Sequence, residues 1–115
     1  MKLELYEKPR EFKQKTATTR DYGKIRLEEN EMISFKTPSG RENDVTAYSW
    51  GLYIAPSVNN RLKNEGFKTA LVLNEQGRIF INIVELDKVE EFRRYLKTGQ
   101  NSVFLTWLDE WGEPE

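Results

Sequence analysis

Two apolar runs, Phe67 to Leu73 and Arg78 to Leu86, flank the tetrapeptide Asn74-Glu75-Gln76-Gly77. Glycine stands where a tight connection most needs a positive φ, so the stretch reads as a β-hairpin, the clearest in the chain. Much of the remaining sequence repeats this pattern of short alternating runs broken by turn residues. Leu3 and Leu5 alternate with Lys2, Glu4 and Tyr6, a strand over 2–6 that Pro9 ends. Ile25 and Leu27 alternate with Lys24, Arg26 and Glu28; Glu29-Asn30 then makes a turn and Met32-Ile33-Ser34-Phe35 the returning strand. Thr37-Pro38-Ser39-Gly40 is a further turn, proline setting φ and glycine tolerating a positive one. From Asp44 the chain runs extended. Thr46, Tyr48, Trp50, Leu52 and Ile54 fall on one face, and Val45, Ala47, Ser49, Gly51 and Tyr53 on the other.

Helical signals are fewer. Pro56 and Ser57 open a short helix with Ser57 as its cap, Val58 and Leu62 as its apolar stripe and Gly66 as its left-handed end. Asp87 caps a second, in which Val89, Phe92, Tyr95 and Leu96 recur at helical spacing until Gly99. Residues 103–111 make a last apolar stretch, a strand or a turn of helix. Strands joined by tight turns pair antiparallel, and two helices can cover one face of such a sheet. The expected class is α+β: a mostly antiparallel sheet of about five to six strands with two short helices packed on one face. At 115 residues the chain suits a single domain, 1–115.

The chain has neither Cys nor His. Disulfides, thiolate nucleophiles, thiolate zinc sites and imidazole proton shuttles are therefore excluded. The usual Ser/His and Cys/His catalytic pairs are excluded with them. Carboxylates remain for acid–base work, Glu42 or Asp44 with Glu85, or the cluster Asp87, Glu90 and Glu91. The last three equally suit the negative first turn of a helix. No enzyme activity, cofactor or metal is expected. The N-terminal residues lack the apolar core of a secretion signal, and no apolar run is long enough to span a bilayer, so a cytoplasmic protein without membrane contact is expected.

Two binding surfaces are candidates. Tyr48, Trp50 and Tyr53 could stack unpaired bases, with Lys24, Arg26, Lys68 and Arg78 meeting phosphates. The competing use of Tyr48 and Trp50 is core filling beside Leu52 and Ile54. Charge layout bears on the same question. Lys plus Arg total 18 and Asp plus Glu 19, but residues 102–115 hold four acids and no base. A mildly basic body thus precedes an acidic tail, 109–115, and residues 13–21 form a Thr-rich stretch read as a loop or mobile basic arm. The second surface is the C-terminal aromatic pair, Trp107 and Trp111, which either complete the core or dock on another molecule. Single-stranded nucleic-acid binding through the aromatic, basic sheet face leads. The alternative is a protein-interaction module, a small inhibitor or accessory subunit, using the C-terminal segment or a sheet edge. The start of the first helix, Ser57, Asn60 and Arg61, is a lesser candidate for holding an anion.

Overall fold

The structure, a computed structural model, describes residues 1–15, 17–99 and 101–111. Among these, eight strands form three small antiparallel sheets instead of one sheet of five or six. Strands β1 (Lys2–Lys13) and β2 (Thr18–Arg26) make the first. Pro9 does not end β1. It lies where the register slips between Leu5 and Arg10, a bulge in which a missing N–H costs no ladder bond. Residues 18–21 are strand, not loop. Thr18 and Thr19 pair with Lys13 and Phe12, and β-branched threonine fits a pleated ribbon. Arg10 closes the irregular stretch on Asp21 at 2.6 Å. Gly23, at φ +133°, lets the strands approach there, since a Cβ would stand 2.3 Å from the Glu4 carbonyl oxygen.

The second sheet has the order β3 (Met32–Lys36), β4 (Glu42–Tyr48), β5 (Gly51–Ala55). Met32–Phe35 returns not against β2 but against β4, across the Thr37–Gly40 turn, in which the Gly40 N–H donates to the Thr37 carbonyl. The extended run from Asp44 is likewise two strands. It folds back at Ser49-Trp50, pairing Tyr48 with Gly51 and Thr46 with Tyr53. Gly51 takes φ +144°, which serves the hairpin where the sequence offered no Asn-Gly or Asp-Gly signal.

The third sheet, in the order β7 (Ile79–Glu85), β6 (Phe67–Leu73), β8 (Val103–Trp107), contains the expected hairpin. The Asn74 side chain accepts from the N–H groups of Gln76 and Arg78, and Gly77 sits at φ +78°. Residues 103–111 are both alternatives in turn, β8 and then a 3₁₀ turn, Leu108–Glu110.

Both helices are shorter than expected. α1 is the single turn Arg61–Asn64, lying against β6 and burying Leu62 completely. Its cap residue is Asn60, although the Ser57 hydroxyl still accepts from the Arg61 N–H at 3.1 Å. α2, Val89–Arg94, follows a 3₁₀ turn and runs on as a π-helical turn to Gly99. Asp87 does not cap it; that carboxylate is spent on Arg41. α2 covers one face of the third sheet. The core there is Ala70, Val72, Val84, Leu96 and Trp107, with Val89, Phe92 and Phe104 packed against it.

Polar contacts join the second sheet to the third. Thr37 and Ser39 hydroxyls donate to Glu85, while Arg41 reaches Asp87 at 2.7 Å and Glu85 at 3.6 Å. Arg61 bonds Asp44 at 2.9 Å, and Ser34 bonds the same carboxylate. The radius of gyration is 15.9 Å, against about 13 Å for a compact domain of this length. No helix among the described residues is long and apolar enough to cross a membrane.

Hydroxyl donors hold the Glu85 carboxyl below the usual glutamate range, and Arg41 does the same for Asp87. A carboxylate whose folded value is depressed stabilises the fold above its unfolded value and loses that contribution as pH falls through the folded one. Urea midpoints should therefore drop for the natural chain as pH falls from about 5 to about 3. The double variant Glu85→Gln/Asp87→Asn should start lower and vary less over that interval. Parallel pH profiles for the two chains would remove this link from the account of stability.

Candidate functional site: an aromatic hairpin and its surroundings

The β4–β5 turn decides where the large rings go. Partners across an antiparallel ladder share a face, so the pairing of Thr46 with Tyr53 and Tyr48 with Gly51 moves Tyr53 to the side of Tyr48. Val45, Ala47, Leu52 and Ile54 take the opposite face. Tyr48 then lies between the other two rings, 5.6 Å from Trp50 and 5.9 Å from Tyr53, both tilted. All three reach solvent, at 39%, 70% and 46% exposure. Core filling is thus not their use. Such pairs contribute about 0.5–1.5 kcal/mol each beyond area burial, which holds the cluster in one arrangement.

The cations expected beside these rings are elsewhere. Lys24 and Arg26 are on β2, Lys24 opposite Glu4 and Arg26 paired with Glu4 at 3.3 Å. Arg78 follows the β6–β7 turn and makes no ion pair among the described residues. Lys68 is enclosed: its ammonium stands 4.8 Å over the Trp107 ring, 3.0 Å from Asp109 and 3.5 Å from Glu110. The four thus divide between the first and third sheets, whereas the rings belong to the second. The Asn30 N–H donates to the Ala47 carbonyl and the Ala47 N–H to the Glu31 carbonyl, so residues 30 and 31 border the end of β4.

The C-terminal pair also separates. Trp107 is buried, with Phe104 4.8 Å away and Phe92 6.2 Å away, so it is a core residue and not a docking anchor. Trp111 stays exposed, its indole N–H donating to Thr106 and its carbonyl accepting from Asn59. Asp109, placed in the acidic tail by sequence, is fully buried and accepts the Thr69 N–H at 3.0 Å as well as Lys68. Residues 112–115 of that tail lie outside the described residues.

Of the carboxylates considered for acid–base chemistry, Glu42, Asp44, Glu85 and Asp87 are occupied by partners. Asp44 holds Arg61 and Ser34, and Glu85 holds Ser39, Thr37 and Arg41. Arg61, considered for anion binding, is committed to Asp44 and Glu65. Among the described residues no three Asp or Glu side chains converge in a way that could hold a metal ion.

Sequence reasoning missed the edge of the third sheet. Ile79, Phe80, Ile81 and Ile83 are all exposed, and beside them, towards α2, open two cavities of about 380 and 610 Å³ that share Ile81, Asn82 and Tyr95. The available signal was apolarity on both parities of 79–84, which demands cover on both faces of a strand.

Removing one partner of a buried ion pair leaves an uncompensated charge, at a cost of about 3–5 kcal/mol. Lys68→Ala should accordingly lower unfolding free energy by roughly 3 kcal/mol in urea titrations. A loss below about 0.5 kcal/mol, the range of ordinary surface changes, would return Lys68 to the set of available cations. A scan of family models and searches of curated proteins and of solved structures match nothing to this chain.

Proposed function

We propose that this protein is a non-catalytic protein-interaction module whose recognition element is the aromatic hairpin tip. The observation that carries the proposal is the mutual packing of Tyr48, Trp50 and Tyr53 in solvent, without a cation over any of the three rings among the described residues. Trp and Tyr dominate the energetics of protein interfaces, because each covers much area with few rotatable bonds. Rings already in contact with one another lose less side-chain freedom on binding.

A nucleic-acid ligand would need counter-charge near the rings. Lys24, Arg26, Lys68 and Arg78 all belong to the other two sheets, and the net charge of −1 adds no long-range attraction. The stacking platform itself is the one feature that still favours single strands, since base stacking contributes about 1–3 kcal/mol per ring without base identity.

Intrinsic tryptophan fluorescence separates these. Titration with single-stranded oligonucleotides at about 50 and 200 mM salt should leave the emission unchanged. A photo-crosslinking residue at position 53 should capture a discrete protein from extract, and Trp50→Ala should reduce capture at least tenfold, equivalent to about 1.4 kcal/mol. The same substitution should cost the fold about 1 kcal/mol or less. Salt-dependent quenching by oligonucleotides would overturn the proposal in favour of a nucleic-acid ligand; capture unaffected by Trp50→Ala would move the interface off the hairpin.

A further inference from the structure

The edge formed by β7 has no strand on its outer side among the described residues. Its backbone N–H and C=O groups on that side are free to pair with another chain. Folded proteins blunt such edges with bulges, prolines, lysines or shortness. Here β1 carries Pro9 and a bulge, β3 ends on Lys36, β5 is five residues long and β8 is bulged against β6. β7 has none of these: Ile79-Phe80-Ile81-Asn82-Ile83-Val84-Glu85 runs in unbroken register. On the face away from α2, Ile79 and Ile81 are 61% and 64% exposed.

We infer that this edge pairs with β7 of a second copy of the chain, forming a symmetric dimer with one six-stranded sheet. An antiparallel pair related by a two-fold axis keeps outer-face residues opposite outer-face residues. With the axis at Ile81, that residue meets its own copy and Ile79 meets Ile83 twice. Isoleucine then covers isoleucine across the junction. On the inner side Phe80 of the second copy falls opposite Asn82, at the mouth of the cavities that Asn82 and Tyr95 line. Those cavities give an added strand room for its inward side chains.

Charge selects a second β7 over an arbitrary extended peptide. Arg78, at the start of the strand, and Glu91, on the cavity wall near its end, make no ion pair among the described residues. Antiparallel self-pairing carries each Arg78 to the end of the other copy that bears Glu91, since Glu85 there is already held by Thr37, Ser39, Arg41 and Lys88. Both ends of the junction are therefore matched by the same symmetry. This surface is separate from the aromatic hairpin and does not depend on its role.

Because the chain lacks cysteine, engineered thiols report the axis directly. Across an antiparallel pair Cα atoms are about 4.5–5.5 Å apart, within disulfide range. Light scattering of the full chain at high micromolar concentration should give twice the chain mass. Ile81→Cys should form a covalent dimer under mild oxidation. Ile79→Cys and Ile83→Cys should each fail alone and crosslink when the two variants are mixed. Ile81→Lys, with unchanged far-ultraviolet circular dichroism, should weaken dimerisation at least tenfold by placing like charges opposite one another. Arg78→Glu should weaken it too, and Glu91→Arg in the same chain should restore it. A monomeric natural chain would overturn the inference and leave the edge to some other extended chain. A dimer in which Ile81→Cys does not crosslink would overturn it in favour of packing through another face.

Discussion

Glu85 joins the second sheet to the third. It ends β7, receives hydroxyls from the Thr37–Gly40 turn of the second sheet and lies within reach of Arg41, which also grips Asp87. Gly66 belongs to the same junction, since a Cβ there would stand 2.8 Å from the Arg41 Nε. Hydrogen bonds and ion pairs are directional, whereas apolar packing is not. A junction of this kind therefore sets the angle of the second sheet while leaving both of its neighbours' surfaces open. The second polar contact, Arg61 with Asp44, works beside it from α1.

The distribution of apolar side chains follows from that choice. Among the described residues the buried cluster lies on the third sheet, beneath α2. The second sheet meets the first over a cavity of about 150 Å³ lined by Ile25, Leu27, Ile33, Phe35, Val45 and Leu52. Its other face carries Tyr48 and Tyr53. Exposed apolar groups scattered singly are ordinary; contiguous ones mark interaction sites. The aromatic hairpin and the β7 edge are both contiguous, and they are chemically unlike. One presents amphipathic rings, the other unpaired backbone with aliphatic flanks.

Legibility in the sequence tracked how local each determinant is. The β6–β7 hairpin was readable because Asn74 and Gly77 specify their turn within four residues. The Pro9 strand was misread because whether a proline breaks a strand depends on what the partner strand requires at that point, and only pairing reveals a bulge. Ser49-Trp50 failed for a related reason: its glycine comes after the two-residue loop, not within it. That single missed turn inverted the face of Tyr53. Lys68 and Arg78 show the limit best. Both are cations of the same hairpin, but Lys68 pairs with Val84 on the side that α2 and Trp107 close, so it must bring counter-charges with it. Arg78 stands at the turn and meets no such demand. Identical chemistry on one face of the hairpin has opposite availability, set by the position along it.

The two open surfaces have a joint consequence. Glu85 belongs to β7 and to the junction with the second sheet, so whatever pairs with β7 is referenced, through the Thr37–Gly40 turn, to the sheet that bears the aromatic hairpin. A second copy seated on the edge would thus present two hairpin tips in a fixed relation, not on independent tethers. For a partner that offers two matching sites, the second contact becomes intramolecular, and its gain depends on whether that spacing fits. A rigid polar junction transmits such spacing better than a soft apolar one would, because sliding costs it bonds.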